Sequence, residues 1–540
     1  MASVESKPPA SAPPASSLSP FRYPTFTVLW IATVVSNIGI WMQNAAAGWL
    51  MTVLDRDPFI VALVQVATSL PMFLFALAGG ALADIVDRRR LLIAIQTTVV
   101  ALVAGFGLLV RLGQVTPALL LSFSFLAGTA AALIAPVWMS IVPQLVPRPH
   151  LQPAVALNGV AINVSRAVGP ALAGLIIVAW GLAAPFWLNA LSTLGVIAAL
   201  IWWQPATEEA PRRLPSERFG RAIRAGLRHA RHNPHLRATL IRAAGFFIFA
   251  SAYWALLPLV ARDQVAGDPK LYGLLLGAIG AGAVTGAFTL PFMQRRFGAD
   301  MPAWAGTVGT AIAMVLYGLA RQPATALVAS VVAGMSWIAV LSALNVSAQV
   351  ALPGWVRGRG LSIFSTVMFG GLAFGSALWG QVAALTSLPT AHFIAAAGAL
   401  LVIPLLWRWK LQTGAGVDFT PSMHWPQPVL SHDIEADRGP VLVTIEYHID
   451  PADRGAFVDA IMRLAPERRR NGAFEWDLYE DTAQAGRFLE TFLLDSWMEH
   501  LRQHERVTQA DRARQETVNR FQTEGAPKVT HLIASGHGTA

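Results

Sequence analysis

Two short clusters of chemically capable residues interrupt an otherwise apolar chain. The first reads Gly80-Ala-Leu-Ala-Asp84-Ile-Val-Asp87-Arg88-Arg89-Arg90. A carboxylate and three guanidiniums at a helix end can form a charge-assisted pair that breaks and reforms when helices separate. The second is the run Asn158 to Gly174, with Asn158, Asn163 and Arg166 followed by Gly169-Pro170 and Gly174. Spacings of three to five residues bring the three polar groups toward one side of a helix. Glycines permit close helix contact and proline bends the helix. An arginine inside a membrane helix costs about 2.5–3.5 kcal/mol even on the mildest scale, so it must face a cavity or a polar partner.

Further polar positions in apolar surroundings are Asn37, Gln43 and Asn44 among Trp30, Trp41 and Trp49, then Gln65, Asn345 and Gln349. All are candidates to line a substrate cavity. Near the C-terminus His500 and His504 stand at i, i+4, one face of a helix. No third ligand accompanies them in sequence, so no metal centre is expected. Cysteine is absent, and no phosphate-binding loop or nucleophile elbow occurs. Neither a catalytic set nor a cofactor is therefore expected.

The elements that position these residues follow from composition. Of 540 residues 54% are hydrophobic and only 13% charged, with mean hydropathy +0.50, which excludes a water-soluble reading of the whole chain. Twelve apolar runs are each long enough to span a bilayer, at about 20 residues per span. The first six begin near Phe26, Pro58, Leu91, Pro117, Ala154 and Pro185, the second six near Leu240, Leu271, Pro302, Ala324, Gly360 and Thr390. The net charge of +9 is distributed between the runs and not along one polar face, so it reports topology and not nucleic-acid binding. With the N-terminus inside, sixteen arginines from Arg88 to Arg359 fall in cytoplasmic loops and five basic residues opposite, placing both termini in the cytoplasm.

The two blocks repeat at a constant offset of 206 residues. Gly80 matches Gly286, Arg89-Arg90 match Arg295-Arg296, Gly128 matches Gly334, Gly169 matches Gly375 and Gly174 matches Gly380. Six spans per unit give two parallel six-helix halves, the layout of an alternating-access transporter. The expected organisation is a disordered tail (1–24), half one (25–203), a basic linker helix (204–238), half two (239–410), a linker (411–439) and a soluble domain (440–535). The linker helix sets Phe219, Ile223 and Leu227 amid arginines, a pattern suited to anionic lipid at the membrane surface. Residues 441–521 hold 26 charged side chains, and their β-α-β-β-α-β pattern predicts an α+β ferredoxin-like fold.

The loop at Gly80 resembles the Gly-x-x-x-Asp signature of the major facilitator superfamily, with Ile85 and Asp87 replacing the usual arginine and glycine. That resemblance implies that Asp84 and one of Arg88 to Arg90 latch the cytoplasmic side, echoed by Gly286, Arg295 and Arg296 without the aspartate, and that Arg166, Gly169, Pro170 and Gly174 form an antiporter-type span-five motif. The runs Ser36-Asn-Ile-Gly39-Ile-Trp41 and Arg357-Gly-Arg359-Gly360 resemble the transmembrane secretion effector branch, which includes enterobactin-exporter-like proteins. This implies efflux of a small amphiphile from the bacterial inner membrane. Proton antiport is also implied, although no carboxylate lies mid-span to carry the proton: the eleven acidic residues before Asp418 all fall outside span centres. The tail around Glu490-Thr-Phe492 and Ser496-Trp497 resembles dimeric α/β barrels related to antibiotic-biosynthesis monooxygenases, implying dimerisation. A transporter-enzyme fusion and a membrane-anchored sensor are the alternative readings.

Overall fold

The computed structural model describes residues 16–535 except 205–218, 299, 413–417, 419, 421, 423–424, 426–433 and 436; at 77–85, 148, 219–223 and 225 it describes backbone alone. The Gly80 and Asp84 side chains therefore lie outside the described residues. Half one comprises α1 (Pro24–Leu54), α2 (Pro58–Ile85), α3 (Arg88–Arg111), α4 (Pro117–Leu145), α5 (Leu151–Trp180) and α6 (Ala184–Trp202). The linker helix is α7 (Phe219–His232). Half two comprises α8 (Pro234–Leu259), α9 (Pro269–Phe297), α10 (Asp300–Leu319), α11 (Pro323–Val350), α12 (Arg357–Leu385) and α13 (Leu388–Leu405). Twelve of these helices are long and apolar enough to cross a membrane.

Local chemistry sets the boundaries. Proline opens α1, α2, α4, α8, α9 and α11, where its missing N–H costs nothing and its fixed φ suits the first turn. Side-chain caps from Asp87, Thr116, Asn233, Asp268 and Ser387 accept the first free amides of α3, α4, α8, α9 and α13. The 206-residue offset holds for α4 with α11, which begin at equivalent prolines, and for α5 with α12. α1, α2 and α3 precede α8, α9 and α10 by 210, 211 and 212 residues, so Arg89 and Arg90 open α3 whereas Arg295 and Arg296 lie in the last turn of α9.

After α13 the chain forms β1 (Val441–His448), α14 (Arg454–Asn471), β2 (Glu475–Glu480), β3 (Arg487–Leu494), α15 (Trp497–Arg506), α16 (Gln509–Asn519) and β4 (Lys528–Ile533). The strands make one antiparallel sheet in the order β2-β3-β1-β4. β1 alternates buried Val441, Val443, Ile445 and Tyr447 with partly exposed residues, and this face packs on Phe457, Ile461, Leu464 and Trp497. Ser496 caps α15, and Thr508 opens α16 with a reciprocal capping box through Asp511.

Candidate functional site

The halves meet through glycines. A Cβ at Gly174 on α5 would lie 2.7 Å from the Pro269 carbonyl oxygen at the start of α9, and one at Gly273 would lie 2.5 Å from the Pro170 carbonyl oxygen. At the offset-equivalent seam, a Cβ at Gly380 on α12 would lie 2.5 Å from Ala62 of α2. These contacts occupy the membrane side opposite the arginine-rich loops, and only a hydrogen at Cα permits them. Toward the basic side α5 separates from α11 and leaves a cavity of about 310 Å³, lined by Asn163, Arg166, Ile338, Leu341, Ser342 and Asn345 among others. That volume is at the small end of organic-ligand pockets, about 300–1,000 Å³.

Arg166 sits at the midpoint of α5. Its guanidinium lies 5.2 Å from the Trp41 ring centroid, its buried Nε has no hydrogen-bond partner, and no carboxylate pairs with it among the described residues. Asn163 donates to its own helix at Gly159 O, 2.9 Å, while facing the cavity. Asn345 lines the opposite wall.

The remaining cavity candidates have other places. Gln43 is buried and accepts a 2.6 Å hydrogen bond from Asn189 of α6, tying α1 to α6; it is a packing group and not a wall. Gln65 donates to Ser69 one turn away. Gln349 is exposed, and Asn37, Asn44 and Asn158 are partly buried; none of these five lines the cavity. Trp30 donates to Leu157 O across α1 and α5 at 3.3 Å. In span five, a Cβ at Gly169 would lie 2.9 Å from Ile38 O, so this glycine seats α5 on α1.

At the basic loop, the Asp87 carboxylate accepts from Arg90 N at 2.7 Å and caps α3. Arg89 donates to Leu200 O and Ile201 O, at 2.7 and 2.6 Å, and so terminates α6. In the second copy Gly286 packs on Met335 of α11, while Arg295 and Arg296 are exposed.

Half two carries polar locks that the sequence did not reveal. Buried Arg242 pairs with Asp300, lies 3.7 Å from the Trp304 ring centroid, and the same carboxylate accepts from Leu411 N. The C-terminal region of four strands and three helices contacts this end. Arg228 of α7 donates to Glu499 of α15 at 3.0 Å, and the Arg506 guanidinium stands 4.4 Å from the Trp355 ring centroid. Fully buried His229 packs edge-on against Trp355, and burial with nearby Arg470 and Arg506 pushes it down to about 3. The linker helix thus makes protein contacts along the face that bears Arg228 to Ala230.

Inside the C-terminal region, fully buried Glu490 accepts from Tyr447, Arg468 and Trp476 at 2.8–3.0 Å. The adjacent cavity is about 10 Å³, room for roughly one water. Sequence reasoning also missed His531 of β4, which joins His500 and His504 so that one nitrogen from each falls within 4.8 Å of the others. Thirty residues of separation left no local signal.

Residues 15–538 match the transmembrane secretion effector family. The chain is 26% identical over 394 residues to the enterobactin exporter EntS of Shigella boydii serotype 4 (strain Sb227), covering 71% of this chain and 91% of that one, and equally to EntS of Escherichia coli O127:H6 (strain E2348/69 / EPEC). The fold is shared with a POT family transporter in complex with a thioalcohol-conjugated peptide (TM-score 0.59, 10% identity, 71% of this chain and 95% of that one). It is shared also with a bacterial homologue of the iron transporter ferroportin in an inward-facing state (TM-score 0.55, 16% identity, 71% and 98%). Twelve spans in duplicated halves, a cavity between them and a family match along almost the whole length lead to one assignment: the chain belongs to the transmembrane secretion effector family of major facilitator superfamily secondary transporters.

Proposed function

We propose that this transporter exports a small amphiphile with an anionic or electron-rich head across the bacterial inner membrane, by alternating access. The observation that carries the reading is Arg166, a cation in the cavity between the halves that no carboxylate pairs among the described residues. Its placement costs about 2.5–3.5 kcal/mol, and stacking on Trp41 returns about 0.5–2 kcal/mol. An anionic cargo group supplies the remainder, while Ile162, Ile338, Leu341 and Val346 receive an apolar body. The relatives named for enterobactin export support the outward direction and a siderophore, drug or metabolite as cargo.

In this reading the basic side is cytoplasmic, with both termini, and the open cavity is the cargo-loading state. Asp84 latches that side closed when the cavity faces outward, so Asp84→Asn slows flux. Protons, where they couple, bind acids at helix ends. Leu227, half exposed on α7, supports contact of the linker helix with anionic lipid. The sheet order of the soluble domain supports a ferredoxin-like fold, and its half-exposed Val529 and Leu532 on edge strand β4 support dimerisation.

The test is accumulation of weakly acidic amphiphiles in cells with and without the protein, repeated with the proton gradient collapsed. Arg166→Ala should cut efflux at least tenfold, and Arg166→Lys should keep part of it. Unchanged efflux by folded Arg166→Ala protein would overturn the reading.

A further inference from the structure

We infer that His500, His504 and His531 form a three-imidazole site for a borderline divalent transition metal, of the zinc, cobalt or nickel class, in the soluble domain. His500 and His504 project from one face of α15, and His531 comes from β4, which is fixed against β1 with His531 opposite Val443. The His500 and His504 Nε2 atoms are 3.3 Å apart. Two imidazoles bound to zinc at 2.0–2.1 Å with a tetrahedral angle stand about 3.3–3.4 Å apart, so this pair already has the separation of two ligands. All three ligand nitrogens lie within 4.8 Å of one another, about 1.4 Å more than the separation of two ligands around zinc.

The surroundings fit the same chemistry. His500 is 1% exposed, and its Nε2 faces the His504 Nε2. A cation placed between the two nitrogens binds both through their lone pairs, with the proton of each ring left on Nδ1. Trp497 packs at a tilt against His500 with ring centroids 5.1 Å apart, and Trp425 packs edge-on against His504 at 5.3 Å, so two of the rings are held by aromatic neighbours. Histidine nitrogens alone select zinc-like metals and not magnesium or calcium, which take oxygen. His504 and His531 are partly exposed, so the ion has a path in and a fourth position for water. Glu499 and Arg506 on the same helix contact α7 and Trp355, so the site stands on the element that joins the soluble domain to half two.

The experiment titrates Zn²⁺, and separately Co²⁺, into the full-length transporter purified in detergent without a polyhistidine tag. The expected result is one equivalent per chain with micromolar or tighter affinity, unaffected by excess Mg²⁺, and a visible Co²⁺ spectrum of tetrahedral nitrogen–oxygen coordination. His504→Gln and His531→Gln should each weaken binding at least tenfold while melting like the parent, and His448→Gln, at the far end of β1, should bind normally. Absence of stoichiometric binding, displacement by Mg²⁺, or equal binding by the His504→Gln and His531→Gln proteins would overturn the assignment.

Discussion

The two halves use the same glycines for the same contacts and different side chains for everything else. A Cβ at Gly169 would strike α1 at Ile38 O, and one at Gly375 would strike α8 at Ile248 O; Gly128 abuts α2 at Thr68 O as Gly334 abuts α9 at Ile279 O. Beyond the backbone the halves part. Of the most apolar 18 residues, 72% are buried in α8 and 28% in α1. Arg242, Asp300 and Trp304 stand where α1 and α3, counted from their own first residues, carry Ala32, Arg88 and Leu92, and Leu372 of α12 stands where α5 carries Arg166. Duplication preserved what close backbone approach requires, because any side chain there forces helices apart. The chemistry then segregated: half two became a locked scaffold with the C-terminal region attached, and half one kept the cavity-facing cation.

The largest effect should come from the lock. Asp300→Asn strands a buried guanidinium, which costs about 3–5 kcal/mol, and should lower the melting temperature by several degrees in tryptophan fluorescence. Ala94→Asn, at an exposed position of α3 in half one, should shift it far less. An equal loss would erase the scaffold contrast.

Gly280→Val comes next. Its Cβ would collide with Ala167 of α5, and overpacking costs about 1–3 kcal/mol, here charged to the state closed at that seam. Efflux should fall about tenfold, whereas Gly105→Val, with open space at its Cβ, should transport normally.

A third test uses pH. His229 is held near 3 by burial and by the neighbouring Arg470 and Arg506 guanidiniums, against 6.5 when unfolded. Between those values the unfolded chain binds the extra proton, so stability is complete above about pH 6.5 and falls with acid, by about 1.4 kcal/mol per pH unit. Denaturant melts at pH 7 and pH 5.5 should show the soluble region weakening, and His229→Leu should remove its share of the slope. A pH-independent midpoint would contradict the buried, neutral state.

The smallest effect is expected at the docking pair. Arg228→Ala removes a partly buried charge-assisted bond to Glu499 and should cost about 1 kcal/mol, read as coupling in a double-mutant cycle with Glu499→Ala.

The spans were legible because bilayer length and apolar runs are local properties; the fourth was expected from Pro117 and α4 begins there. The offset glycines were legible for the same reason. Partners across helices were not. Gln43 reads as a cavity residue from its own helix, and Asn189, 146 positions later, decides otherwise. Arg89 reads as part of a latch, and its hydrogens go to the end of α6. Arg166 was legible, since an arginine at a span centre is costly wherever it occurs; Ser342 and Ile338 opposite it carried no signal.

The central claim is a cavity open on the arginine-rich side and sealed on the other by glycine contacts. The chain has no cysteine, so Asn163→Cys can be labelled without background by a membrane-impermeant maleimide in inside-out and right-side-out vesicles. The account predicts labelling from the arginine-rich side alone, and labelling from the opposite side once Gly280→Val is added. Equal labelling from both faces, or labelling that Gly280→Val leaves unchanged, would contradict it.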